Sequence, residues 1–267
     1  ITILNMSGRI CTMLGIFLLV KTPEDYILAA FLQACTPLIA GIFSIVWLSK
    51  HYTGLFKWPT IGEIINSYKE GWSIFVSSLA VNLYTATNIV VLGMLTNNVI
   101  VGYYSAADKL IICVRRGIYA VSDAIYPFIS KMMKDDIPKG LQFIKKQLFL
   151  YLIVGLVGCT SLFFFSDIIV KLLFGADYNL TVDVLRILSF VPLAVAISTV
   201  FGEETMLPLN MNSAYSRTLV LAAFFSLLSI FPLCYLWGAK GVAMTMLLTE
   251  FLIMIIMGGL LKKQLFQ

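Results

Sequence analysis

Gly102-Tyr103-Tyr104-Ser105-Ala106-Ala107-Asp108-Lys109-Leu110-Ile111-Ile112-Cys113-Val114-Arg115-Arg116-Gly117-Ile118-Tyr119-Ala120-Val121-Ser122-Asp123-Ala124-Ile125-Tyr126-Pro127 sets five charged side chains in a run otherwise long and apolar enough to cross a bilayer. Each such charge costs about 2.5–3.5 kcal/mol at the bilayer centre, so lipid cannot be its neighbour. At 100° per residue, Asp108, Lys109, Arg115, Arg116, Tyr119, Asp123 and Tyr126 share an arc of about 120°. Leu110, Ile111, Val114, Ile118, Val121 and Ile125 take the opposite face. The stretch therefore predicts a membrane helix whose charged stripe lines an aqueous cavity or meets partner charges.

The rest of the chain supports a membrane setting. Of 267 residues, 60% are hydrophobic and 12% charged, against about 45–50% and about 25% in soluble domains. The mean hydropathy is +0.92. A crossing helix needs about 20 mostly apolar residues. Eight such runs are predicted, at about 1–20, 26–48, 72–95, 103–130, 143–166, 180–202, 215–237 and 241–261. None shows the period-2 alternation of a barrel strand, so the fold class is an all-α integral membrane protein of about eight transmembrane helices. The chain opens at Ile1 without a charged n-region or a cleavage site, and the expectation is a portion of a longer protein.

Basic residues fall on alternate connectors. Lys50, Lys57 and Lys69, then Lys131, Lys134, Lys139, Lys145 and Lys146, then Arg217, then Lys262 and Lys263 share one side. Lys21, Lys171 and Lys240 are on the other. The positive-inside rule puts the first set, and with it both chain ends, in the cytoplasm. The net charge of +5 is then an orientation signal, and no nucleic-acid partner is needed to explain it. The connector 49–71, with Trp58-Pro59 and Trp72, suits an interfacial segment and a lobe boundary.

The predicted third helix has a neutral version of the stripe. Ser77, Tyr84, Thr85 and Asn88 share a face, suited either to sugar hydroxyls or to bonds with neighbouring helices. Arg9, Arg186 and the pair Glu203-Glu204 sit in or near other spans. Glu250 lies well inside the last one, where a short side chain cannot snorkel, so a paired or functional role is expected. A cavity lined by Arg115, Arg116 and Lys109 would suit an anionic substrate, since guanidinium groups match phosphate oxygens. Asp108 and Asp123 would balance those cations, and Asp123 and Glu250 are the candidates for ion coupling. The internal prolines Pro37, Pro127, Pro192 and Pro232 permit bends. Cys11, Cys35, Cys113, Cys159 and Cys234 sit in apolar stretches without a C-x-x-C pair, and His51 is alone, so neither a metal nor a cofactor is expected.

Several blocks resemble the Wzx-type polysaccharide flippases, which belong to the multidrug/oligosaccharidyl-lipid/polysaccharide exporter superfamily. They are Asn82-Leu83-Tyr84-Thr85-Ala86-Thr87-Asn88 with Leu92-Gly93, Val101 to Lys109, Ala124 to Lys131, Phe174-Gly175-Ala176-Asp177-Tyr178, Phe201-Gly202 with Met206 to Leu209, and Gly238 to Gly241. The resemblance implies two six-helix lobes around a central cavity. Residues 72–262 would be a complete second lobe, 1–48 the last two helices of the first, and 49–71 a cytoplasmic link. It further implies the bacterial inner membrane and transfer of undecaprenyl-pyrophosphate-linked O-antigen or capsule units from the inner to the outer leaflet. O-antigen polymerase and chain-length machinery would be neighbours. On that reading Arg115, Arg116, Lys109, Asp108, Asp123, Tyr84, Asn88 and Arg9 bind substrate. Glu203 and Glu204 depart from the neutral residues the family leads one to expect.

The alternatives are a lipid II flippase or a multidrug antiporter of the same superfamily. The stripe arginines disfavour cationic drugs. A membrane enzyme such as an O-antigen polymerase needs catalytic groups on large loops, and the adjacent pair Asp135-Asp136, among lysines, reads as a solvated turn. No enzyme is expected.

Overall fold

The computed structural model describes residues 2–22, 25–51, 59–175 and 177–266. Every regular element among them is helical: α1 (Thr2–Leu19), α2 (Tyr26–His51), α3 (Ile61–Leu95), α4 (Asn98–Asp135), α5 (Ile137–Phe174), α6 (Asn179–Leu188), α7 (Val191–Phe201), a π-helical turn (Gly202–Met206), α8 (Asn212–Trp237) and α9 (Ala239–Phe266). In hydrocarbon a helix satisfies its own backbone, whereas an open sheet leaves its edges without partners.

Among the described residues, six stretches are long and apolar enough to cross a membrane: Ile27–Lys50, Gly71–Leu95, Ile137–Phe174, Asn179–Met206, Asn212–Trp237 and Ala239–Lys262. Eight were expected. In α1 the apolar stretch with described side chains, Ile10–Leu19, is shorter than a crossing, and α4 is missing from the six because of its charges. The helix expected over 180–202 is broken in two. Ser189 Oγ donates to the Arg186 carbonyl at 2.7 Å, and Pro192, lacking an N–H, begins the next helix. Residues 52–58 of the connector, Trp58 and Lys57 included, lie outside the described residues.

Local chemistry sets the helix ends. Asn97 Oδ1 accepts from the amides of Val99 and Ile100 at 3.1 and 3.0 Å, opening α4. Asp136 ends α4 and caps α5, accepting from the Lys139 amide at 3.2 Å. Thr60 and Glu63 form a reciprocal capping box ahead of α3: Glu63 Oε2 accepts from the Thr60 amide at 2.7 Å, and Thr60 Oγ1 from the Glu63 amide at 3.4 Å.

Two compact units are present, Ile1–Ile65 and Asn66–Gln267. In the first, α1 packs on α2, with large apolar side chains such as Phe17, Leu38 and Ile39 exposed. In the second, Phe164, Leu172 and Tyr235 are exposed as well. Apolar surface on this scale suits lipid and not water.

The second unit has two apolar layers. One gathers Leu92, Tyr104, Ile111, Leu185, Leu188 and Met246. The other gathers Tyr84, Ile129, Ile144, Met206, Leu219 and Met257. Along α4 and α9, Arg115 falls between Ile111 and Ile129, and Glu250 between Met246 and Ile253. The charges thus lie where the two layers meet. Close approaches between helices require glycine at two positions: a Cβ on Gly202 would stand 2.6 Å from the Tyr215 ring, and one on Gly241, at the start of α9, would collide with the Leu233 carbonyl.

Candidate functional site

Where the layers meet, α3, α4 and α9 each contribute a polar side chain. An Arg115 Nη lies 3.2 Å from Glu250 Oε1. Tyr84 donates its hydroxyl to the same oxygen at 3.1 Å, and Arg115 reaches Tyr119, one turn along α4, at 3.4 Å. Arg115, Glu250 and Tyr84 retain only 8%, 3% and 2% exposure. Ion pairs this enclosed hold because each charge answers the other, and removing one partner typically costs about 3–5 kcal/mol. Asn88, one turn along α3 from Tyr84, is also buried, and neither end of its amide finds a partner.

The network borders a cavity of about 50 Å³ lined also by Ser198, Thr199, Glu203 and Tyr215. Tyr119, Glu203 and Tyr215 also line a larger cleft of about 510 Å³, whose wall includes Ser77, Asn82, Ser122, Asp123 and Tyr126. The Arg115–Glu250 pair therefore sits at the inner end of a polar cleft. Set among the apolar Ile74, Val81, Leu207 and Leu219, the cleft's polar lining is hydroxyl and amide with two carboxylates. Such groups can donate to and accept from sugar hydroxyls, and a single guanidinium beyond them is available for an anion.

The predicted residues separate. Arg115 and Tyr84 join Glu250 in the network, Asp123 lines the cleft, and Asn88 is buried nearby. Asp108 is half-buried beside Tyr104. Arg116 and Lys109 are exposed. Arg9 lies in α1, and its side chain is outside those described. Arg186 is tied to α5 through Ser166 Oγ at 3.1 Å.

Sequence reasoning left out Tyr215, Ser122 and Gln147 and gave Glu203 no role. The available signal was the carboxylate pair Glu203-Glu204 inside an apolar run. The π turn, in which Leu207 N bonds to Gly202 O at 3.1 Å, carries both. Such turns concentrate at functional sites. Glu203 lines the cleft, while Glu204 is enclosed in the bundle.

A family model described as "Polysaccharide biosynthesis protein" matches residues 1–133. Two relatives named "Putative O-antigen transporter" are similar over nearly the whole chain. That of Shigella dysenteriae is 30% identical over 256 residues, covering 96% of this chain and 63% of the relative. That of Escherichia coli (strain K12) is 30% identical over 259 residues, covering 95% and 61%. The chain thus spans less than two thirds of the length of these relatives. No solved structure matches it.

Proposed function

Residues 1–133 belong to the polysaccharide biosynthesis protein family, and from that premise we propose that the protein moves undecaprenyl-pyrophosphate-linked O-antigen or capsule units from the inner to the outer leaflet of the bacterial cytoplasmic membrane. The observation that carries this reading is the Arg115–Glu250 pair at the inner end of a polar cleft. The sugars bind along Ser77, Asn82, Tyr126 and Asp123. A diphosphate then competes with Glu250 for Arg115, because a guanidinium favours phosphate oxygens in the same bidentate way as a carboxylate. Exposed Arg116 and Lys109 add positive field along α4. Displaced from Arg115, Glu250 takes up a coupling proton, and Asp123 exchanges it with the cleft.

The architecture proposed with this function has eight crossings. Residues 72–262 form a six-helix lobe in which α6, α7 and the π turn make a single crossing. Residues 1–48 are the last two helices of the other lobe, and 49–71 are the cytoplasmic link. Both ends face the cytoplasm, and polymerase and chain-length machinery act on the same units. The work is transport and not catalysis. A cationic-drug antiporter would draw on the cleft carboxylates Asp123 and Glu203, but it would have no use for a guanidinium at the inner end.

The test is surface display of O-antigen in a strain lacking its own translocation step, using the full-length protein. Arg115→Ala is expected to abolish display at normal protein level, and Arg116→Ala to reduce it less. Full display by Arg115→Ala would contradict the reading.

A further inference from the structure

Glu204 is the most deeply enclosed carboxylate of the cleft region, with 0% exposure. Neither of its oxygens has a hydrogen-bond partner. Glu250, its counterpart on α9, has Arg115 and Tyr84; among the described residues Glu204 forms no ion pair. Around it stand neutral oxygen-bearing side chains from two other helices. Ser122 of α4 and Gln147 of α5 face the carboxylate, and the Tyr151 hydroxyl, one turn along α5, faces Gln147. Both polar atoms of Gln147, which is 6% exposed, and the Tyr151 hydroxyl are without partners too. Among the described residues, the other titratable groups facing Glu204 are Tyr151 and the adjacent Glu203.

A buried carboxylate with no countercharge is far too costly to persist as a bare anion. Three unpaired polar side chains in one place are equally out of keeping with a well-packed interior, where buried polar groups are satisfied. One small positive species would answer the oxygens among them, and the Gln147 amide nitrogen can donate to the same carboxylate. Ser122 connects the two places, lining the cleft and also lying beside the Glu204 carboxylate. Consecutive helical positions point about 100° apart, so Glu203 faces the cleft while its neighbour faces the bundle.

We infer that Glu204, Gln147, Ser122 and Tyr151 form a binding site for a small monovalent cation, a proton or Na⁺, reached from the cleft past Ser122. Oxygen-only donors around one carboxylate suit a hard cation, and a single negative charge suits a single positive one. The site is separate from the Arg115–Glu250 pair. It adds an ion to the transport reading, and its test needs no lipid-linked substrate, so its failure would leave that reading standing.

The experiment is infrared difference spectroscopy of the purified full-length protein on exchanging Na⁺ for choline at fixed pH, and on stepping pH in choline. A proton site gives a carboxylic C=O band that appears with acid and is absent from Glu204→Gln. A Na⁺ site gives a Na⁺-dependent shift of the carboxylate stretch that is likewise absent from Glu204→Gln. Gln147→Leu keeps the carboxylate and is expected to weaken the response at least tenfold in cation concentration. Glu204→Gln is nearly isosteric and removes a charge, so it is expected to fold. Signals that persist unchanged in Glu204→Gln, or no cation-dependent signal in the wild type, would overturn the site.

Discussion

Arg115 of α4 and Glu250 of α9 meet at 3.2 Å, 135 residues apart in the chain, with Tyr84 of α3 bonded to the same carboxylate oxygen. Three helices are thereby fixed at one depth, between two apolar layers. Breaking such a pair strands a buried charge, whereas replacing both partners with apolar groups does not. Arg115→Met and Glu250→Leu are each expected to destabilise the protein by about 3–5 kcal/mol. The double variant should recover most of that loss. Denaturant titration in detergent measures the cycle, and additive losses would mean that the two residues do not act as a pair.

Glycine positions offer a packing test. Gly202→Ala would push a methyl to 2.6 Å from the Tyr215 ring, and overpacking of this kind costs about 1–3 kcal/mol. Gly241→Ala meets backbone, the Leu233 carbonyl, which cannot swing aside as a side chain can. It should lower thermal stability more than Gly202→Ala does. Gly102→Ala, with nothing within 4 Å, should be tolerated. Melting temperatures of the three variants rank the effects.

The cap at Asp136 gives a pH prediction. The Lys139 ammonium, 3.0 Å away, and then the Lys139 amide hold this carboxyl below its ordinary value of 3.8. A carboxyl with a lowered folded pKa contributes stability that is present above the unfolded pKa and lost as pH falls through the folded one. The start of α5 should therefore stay closed at neutral pH and fray only below the ordinary aspartate value. Amide exchange at Lys139 reports it, with early fraying at all pH values in Asp136→Ala.

Topology is open to a labelling experiment. With Cys11, Cys35, Cys113, Cys159 and Cys234 replaced by alanine, a thiol at Lys139→Cys should resist a membrane-impermeant reagent in intact cells. A thiol at Lys171→Cys should react. The reverse pattern would invert the orientation drawn from the lysine distribution.

Much of the architecture was legible because a bilayer imposes long apolar runs, and the charged stripe of residues 108–126 marked the helix that lines the cleft. Arg115 and Tyr84 stood out as polar groups on membrane helices. Their shared partner did not, since nothing local in α4 or α3 points to Glu250. Arg116 looked equivalent to Arg115 on a helical wheel, yet one is exposed and the other buried, because α9 packs on only one edge of the stripe. The break at Ser189–Phe190 and the π turn were also hidden, as apolar runs around 180–202 carry no period that distinguishes an unbroken helix from a stepped one. Glu203 and Glu204 were visible as an anomaly, but which of the two faces the cleft is set by tertiary packing that no local signal reports.

The central claim is that Arg115 receives the diphosphate of a lipid-linked sugar in exchange for Glu250. Its most direct measurement is leaflet transfer of a dye-labelled prenyl-diphosphate oligosaccharide in vesicles holding the full-length protein, read by quenching of the outer-leaflet dye. The account predicts transfer with the wild type and none above protein-free vesicles with Arg115→Ala. Transfer by Arg115→Ala at the wild-type rate would contradict it.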